Sequence, residues 1–570
     1  MTMAAASEHR YVKMAWTVVL AGLFLRVLYS GTFLLVPDEA YYWQWSRYLA
    51  LGYYDHPPMI AWTIKLATIF LGQTETAVRL PTNLALAVTS AYLVLTARRW
   101  CGAKAAWYTA LISQSLLGFN AAGLLATPDG LQICGWAGAC YHVAAAYETD
   151  RPPQWLLGGA WFGFGMLSKY TMAMFPPLAF LFGMLNPSFR KRLTGPWPYA
   201  GIVLGLVLFL PVVYWNIEHG WSTFRHVAHK GGADSQVLFQ LRYLGDYIGS
   251  QVGLLTPLVF LLLLTTWFTP LKKSTAGGHW LLTYLFFTSF PVVAGFAFLS
   301  LHTRVEGNWP ASGYLGAAVI MAHAVTAGRS NAAHFSRKLW PWAVTSSYVL
   351  TFLVLLHLLW PVLPIPMRVD RLSQETRGWD ILGEKVFDLR QSMPDPEETF
   401  IFGLNYQDAS TLAFYTPGKP RTVSINRWKR PNAYDFWWSD RELIGRDAVG
   451  ISGTSPKYLR RLKQVFNVVA PPQRVLIYRS GHPPSMGSDE QPLAEFLVYR
   501  AFGFKGGQRW VPQNRGDVRA AKSTVPLTAG ASKDTCYPGS GRMNQPPSAK
   551  AEGLEGQGPR EKTRTADSVI

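Results

Sequence analysis

Residues 36–60, VPDEAYYWQWSRYLALGYYDHPPMI, decide how the rest of the chain is read. The stretch follows one strongly apolar run and precedes others. It carries adjacent carboxylates (Asp38, Glu39), a dense set of rings (Tyr41, Tyr42, Trp43, Trp45, Tyr48) and an Asp55-His56-Pro57-Pro58 turn. A lone acid at the mouth of a span is ordinarily solvated, or it caps a helix, here one starting near Ala40. The rings argue for more, because such side chains gather where a chain meets the membrane–water boundary. The helix carrying them is expected to lie in that boundary. A carboxylate partly withdrawn from water there has a raised pKa and can serve as a general base.

The remaining composition fits a membrane setting. Of 570 residues, 49% are apolar and 15% charged, with 14% aromatic and 23 Trp; a soluble protein is usually about one quarter charged. Apolar runs of about 20 residues, the length a helix needs to cross the hydrocarbon core, recur from residue 13 to residue 364. The expected spans are 13–36, 80–97, 105–125, 130–147, 154–168, 171–185, 198–216, 248–269, 279–300, 310–327 and 340–362, about eleven in all. The first ten residues lack a signal-peptide cleavage site, so the run that follows reads as a retained anchor. A net charge of +19 would suggest nucleic acid for a soluble chain. Here basic loops and a basic tail account for it, and no nucleic-acid partner is expected. Cys101, Cys134, Cys140 and Cys536 form no CxxC pair and imply neither a disulfide framework nor a zinc site.

Loop charge orients the bundle. Arg98, Arg99 and Lys104; Arg190, Lys191 and Arg192; Lys272 and Lys273; and Arg329, Arg337 and Lys338 all fall on one side if the N-terminus is inside. The opening stretch, TPDG, SKYT, residues 217–247 and HTRVEGNW then share the opposite face. Residues 1–364 are thus expected to form the transmembrane catalytic region, with a first outer loop at 37–79. Residues 365–508 alternate strand and helix signals and read as a small α/β domain on the outer face. Residues 509–570, rich in Gly, Ser, Pro and Lys, read as a disordered basic tail.

On the outer face the candidate chemistry is acidic and cationic. Asp129, in ATPDGLQ, belongs by itself to a common Pro-Asp-Gly turn, but together with Asp38 it can face a shared cavity. Most Lys and Arg near a membrane merely snorkel. Lys169 differs, since it interrupts an apolar hairpin and is a functional candidate on that ground, as an anion's partner. His56, pinned by two prolines, could donate to a phosphate oxygen. No GxxxxGK[ST], helix-opening GxGxxG, HExxH or nucleophile elbow is present. A transporter would explain the spans but not the aromatic-acidic loop, and no repeat pairs the two halves.

The motifs VPDEAYYWQWSRYLALGYYDHPPMIAW, VRLP, ATPDG, GFGMLSKYT and RVEGNWPASGY, with NYQDASTLAFYTPGKPRTVSI and YDFWW later on, resemble the polyprenyl-phosphate-sugar-dependent glycosyltransferases of the GT-C class. That class includes the bacterial lipid A aminoarabinose and galacturonic acid transferases and, more distantly, the protein O-mannosyltransferases. The resemblance covers about residues 13–508. It implies a polytopic α-helical GT-C fold with a periplasmic α/β domain in a bacterial inner (plasma) membrane. It also implies a polyprenyl-phosphate sugar donor, an outward-facing active site and a lipid or glycolipid acceptor. Lipid A or the lipopolysaccharide core is favoured, with protein as the alternative acceptor. Asp38 matches the catalytic carboxylate, with Glu39 beside it and Asp129 as the second acid. His56 stands where relatives carry a phosphate-contacting Lys; Lys169 and Arg304 are further donor-phosphate candidates. Tyr41, Tyr42, Asp55 and Asn308 are expected to bind substrate. Tyr41 replaces an Arg of the aminoarabinose transferases, which disfavours that sugar, and Gly130-Leu131 replaces the usual small residue and Pro. No cofactor is required; a divalent metal is compatible with the carboxylates. A monomer is expected.

Overall fold

Each of the eleven apolar runs falls on one helix or on two in tandem. The computed structural model describes residues 3–230, 239–271, 279–327, 331–425, 431–479 and 491–506, so the expected 509–570 tail lies outside the described residues. The chain opens with α1 (Met3–Tyr29), α2 (Pro37–Arg47), α3 (Met59–Leu71), α4 (Glu75–Cys101), α5 (Ala103–Ser115), α6 (Leu117–Leu124), α7 (Pro128–Thr149) and α8 (Pro152–Ser168). Local chemistry sets the boundaries. The Thr74 side chain caps α4, accepting from Ala77 N at 3.2 Å, and Arg98 and Arg99 sit in its last turn, the charge placement a helix dipole favours. Proline occupies the first turn of α2, α7 and α8, where its missing N–H costs nothing.

Among the described residues, five helices are long and apolar enough to cross a membrane, or up to seven if each of two sharply bent pairs counts as one span. The other expected runs fall on shorter or broken helices. α8 has 17 residues and Gly313–Ala327 has 15, short for a straight span. Leu241–Leu255 and Pro257–Leu271 meet at 101°, where Thr256 adopts φ +69 before a proline.

Helices α7 and α8 pack closely because glycines face each other. A Cβ on Gly135 would lie 2.7 Å from Gly165 Cα, and one on Gly159 would strike the backbone of Gly201 in the helix Trp197–Glu218. Small residues at such crossings let backbones approach where no hydrophobic force separates lipid from protein. The close α7–α8 crossing brings the start of α7 near the end of α8.

The C-terminal region is an α/β sheet of β1 (Phe400–Gly403), β2 (Thr422–Ser424), β3 (Ala448–Ser452), β4 (Phe466–Val469), β5 (Gln473–Ile477) and β6 (Ala494–Phe504). The order is β2-β1-β3-β6-β4, with β5 also paired to β6. β1 is parallel to β2 and β3, and β6 is antiparallel to β3, β4 and β5. Side chains alternate across it. Phe400 and Phe402 join a core with Leu462 and Phe466, whereas Ile401 joins Leu382 and Leu412 on the other face.

The helical and sheet regions pack as one compact unit, so the change of architecture near residue 364 is no break in packing. A shared core explains why. Tyr41, Trp43 and Trp45 of α2 are buried with Ala409, Phe414, Ala433 and Tyr434 of the sheet region. The rings expected to face the membrane boundary are thus covered by protein. Glu39 through Ser46 are all buried, and the rings are interdomain core.

Candidate active site

The site grows from the break between α1 and α2. Arg79 of α4 reaches this break fully buried and spends all five guanidinium donors. Nε and Nη2 donate to Glu39 at 2.8 and 2.6 Å, Nη1 to the carbonyls of Ser30 and Phe33 at 2.6 and 2.9 Å, and Nη2 also to Leu34 O at 2.9 Å. Glu39 also accepts from the backbone N–H of Val36 at 3.0 Å and of Ala126 at 2.8 Å. Both side chains are 0% exposed. A buried ion pair costs desolvation and is retained only when its remaining hydrogen bonds are met, as here. It fixes the end of α1, the start of α2 and the approach to α7. The expectation that Glu39 stands beside Asp38 as a reacting acid is therefore corrected: Glu39 is the anchor of this knot.

Asp38, the preceding residue, is half-buried in the first turn of α2, where the helix dipole favours an anion. Its Oδ1 accepts from Gln407 Nε2 at 3.2 Å. Gln407 sits in the first turn of the helix Tyr406–Tyr415, whose N-terminus is capped by Asn405. The sheet region thus touches the candidate base directly.

The second acid, Asp129, occupies the first turn of α7. Lys169 Nζ donates to its Oδ1 at 2.6 Å and Asn308 Nδ2 to its Oδ2 at 3.0 Å. Lys169 is extended (φ -156, ψ 139) where α8 stops, so it projects from a helix end rather than along a span. Asp129 and Lys169 side chains are each 9% exposed. Lys169 is thus already paired, which revises the picture of a cation left open for phosphate. Arg304 is exposed on the segment that supplies Asn308.

Burial first, then Asp38, Asp55 and Asp129, push the Tyr42 phenol well above its ordinary pKa, so all three carboxylates lie within electrostatic reach of it. His56 is pushed the other way, well below 6.5, by burial and then by Lys169 and Lys230. Its Nδ1 is buried with no hydrogen-bond partner among the described residues, as a group awaiting a ligand would be.

Two expected substrate contacts are corrected. Tyr41 is 2% exposed. Its hydroxyl donates to Asp55 Oδ2 at 2.9 Å and accepts from Ala433 N at 2.7 Å, making it a strut between the regions. Asp55 is 6% exposed and lies 3.7 Å from His226 Nε2 on its other oxygen.

Three residues were absent from the sequence-based candidates. Arg79 was signalled by an arginine inside an apolar span in VRLP, but with no assigned partner. Gln407 lies 369 positions from Asp38, beyond any local pattern. Glu375 is half-buried, and burial followed by the charge of Asp38 raises its pKa to about 7. Among the described residues no three His, Cys, Asp or Glu side chains gather as a metal site. Asp38, Glu39 and Asp129 have separate partners and do not fit a common donor set.

The comparisons agree with this architecture. Residues 55–215, which include His56, Asp129 and Lys169, match the family model described as dolichyl-phosphate-mannose-protein mannosyltransferase. The chain is 25% identical over 287 residues to the lipid A galacturonosyltransferase RgtD of Rhizobium johnstonii, covering 50% of this chain and 59% of that protein. It is 27% identical over 256 residues to the undecaprenyl phosphate-alpha-4-amino-4-deoxy-L-arabinose arabinosyl transferase of Pseudomonas aeruginosa, covering 39% of this chain and 45% of that one. The matches thus span less than two thirds of these relatives' lengths. The fold is that of the crystal structure of ArnT from Cupriavidus metallidurans bound to undecaprenyl phosphate, with a TM-score of 0.57 at 16% identity, covering 85% of this chain and 97% of that one. The chain thus has the fold of that membrane glycosyltransferase, and its residues 55–215 match the mannosyltransferase family model.

Proposed function

We propose that the protein moves a sugar from a polyprenyl phosphate to lipid A or the lipopolysaccharide core, with inversion, on the periplasmic face of the bacterial inner membrane. The observation that supports this reading is Asp38 held against Gln407 of the sheet region, together with Asp129 held between Lys169 and Asn308. Acids and donors meet where a membrane helix ends against a water-facing domain. A prenyl chain needs lipid, its phosphate needs cations and its sugar needs polar and aromatic walls; this place offers all three.

Asp38 takes the proton of the acceptor hydroxyl as its oxygen bonds to the anomeric carbon. The bond from that carbon to the lipid phosphate breaks, and the phosphate leaves with the electron pair. A single displacement inverts the centre. His56, neutral because it is buried beside cations, donates a ring N–H to the departing phosphate, and exposed Arg304 adds charge. Lys169 neutralises Asp129, which with Asn308 lines the sugar's side of the cavity.

Protein is the second acceptor class, favoured by the description of the matching family model. That match ends at residue 215, before the sheet region that meets Asp38, so it bears on the donor side. The test supplies purified protein with a labelled prenyl-phosphate sugar and, in parallel, lipopolysaccharide and an envelope protein fraction. Label in the glycolipid supports the proposal; label confined to protein selects the second reading; none in either rejects both.

A further inference from the structure

At the far end of α2 from Asp38, cations gather with Glu75 near Lys419 but with no carboxylate ion pair among the described residues. Arg47 donates to Gln44 Oε1 at 3.3 Å and Pro420 O at 3.2 Å, and Lys419 donates to Phe414 O at 2.7 Å. These acceptors are neutral. Among the described residues neither they nor exposed Arg421 forms an ion pair with a carboxylate. The three sense one another. Burial lowers the pKa of both Arg47 and Lys419 first; Glu75 then raises that of Lys419 while Arg47 lowers it, and Arg421 lowers that of Arg47 after Tyr48 and Tyr434 raise it. Clustered like charges are unfavourable until a counter-anion arrives.

The same place carries aromatic faces. Tyr48 stacks on Trp437 at 4.6 Å and 23°, and meets Trp438 edge-on at 6.2 Å. Arg421 lies 5.4 Å over the Trp438 ring. Tyr48, Trp437 and Trp438 are all half-buried, so part of each ring is open. Flat apolar faces with polar edges suit sugar rings, and guanidinium groups suit phosphate or carboxylate.

We propose that Tyr48, Trp437 and Trp438, with Arg47, Lys419 and Arg421, form a docking platform for an anionic saccharide, the remote part of the acceptor glycan. The platform lies at the opposite end of α2, nine residues along at 1.5 Å each, or about 14 Å from Asp38. That is the reach of a short glycan rather than one ring, so the platform holds a sugar that does not react while another meets the base. Naming the ligand as acceptor rests on the transferase reading; the binding surface itself does not.

The full-length protein in detergent is titrated with a bisphosphorylated glucosamine disaccharide, its dephosphorylated form and a galacturonic acid trimer. Wild type is expected to bind at least one anionic saccharide and not the neutral disaccharide. Arg421→Glu, an exposed site that leaves the fold unchanged, and Trp437→Ala should each weaken binding about tenfold or more, the loss of one charged contact or one ring. Melting curves confirm that Trp437→Ala is folded. In the transfer assay Arg421→Glu should raise the acceptor KM and leave the donor KM alone. Equal binding of neutral and charged ligands, no binding of any, or an unchanged Arg421→Glu protein overturns the platform. Binding that behaves as expected without any sugar transfer keeps the platform and rejects the transferase reading.

Discussion

Asp38 and Glu39 are neighbours in sequence but differ in setting: Glu39 is sealed in a fully satisfied knot with Arg79, while Asp38, about 100° away round the helix, is half-buried and meets Gln407 of the sheet region. The two carboxylates should fail differently. Glu39→Gln leaves Arg79 charged and buried without its partner, costing about 3–5 kcal/mol of stability. Asp38→Asn should keep the wild-type melting curve and lower kcat about a hundredfold or more, the loss of a general base. Thermal unfolding and single-turnover rates on the two variants check the split.

Lys169 and Asp129 should behave as a unit. Lys169→Met or Asp129→Asn alone leaves one buried charge uncompensated, a loss of about 3–5 kcal/mol. Combining them should cost less than the sum of the singles. A double-mutant cycle on melting temperature measures this, and additivity would show that the pair does not interact.

His56 gives a pH dependence with a defined sign. Its folded pKa lies well below 6.5, so between the two values the unfolded chain binds the extra proton. The stability that His56 contributes is present above pH 6.5 and is lost as pH falls below it toward the folded pKa. Replacing it by Gln should flatten that part of a stability–pH profile.

Glu375 has the opposite sign. Its pKa rises from 4.5 to about 7, so its contribution is fully present below pH 4.5 and is lost as pH rises through about 7. Glu375→Gln should melt higher than wild type above pH 7.

Much of this was legible in the sequence because hydropathy and loop charge act locally. The apolar runs located the helices, and the order of strand signals after residue 364 located the sheet. Lys169 and Asp129 stood out as ionisable groups at the edges of apolar helices, and the structure joins them. What sequence could not show were contacts made across the fold. The rings of α2 looked like boundary residues because aromatic side chains suit both a membrane surface and a protein core; only the sheet region packed on Trp43 and Tyr41 decides between them. Gln407 and Glu375 carry no pattern of their own and gain meaning from Asp38, which Gln407 touches and whose charge acts on Glu375. A hydropathy run also does not reveal a bend such as the one at Thr256.

The central claim is that Asp38 activates the acceptor while taking no part in holding the donor. The direct measurement is rapid-mixing transfer with pre-bound labelled prenyl-phosphate sugar and lipopolysaccharide, comparing wild type with Asp38→Asn. The account predicts unchanged donor affinity and a chemical step slowed about a hundredfold or more. Transfer by Asp38→Asn at the wild-type rate, with donor binding intact, would contradict it.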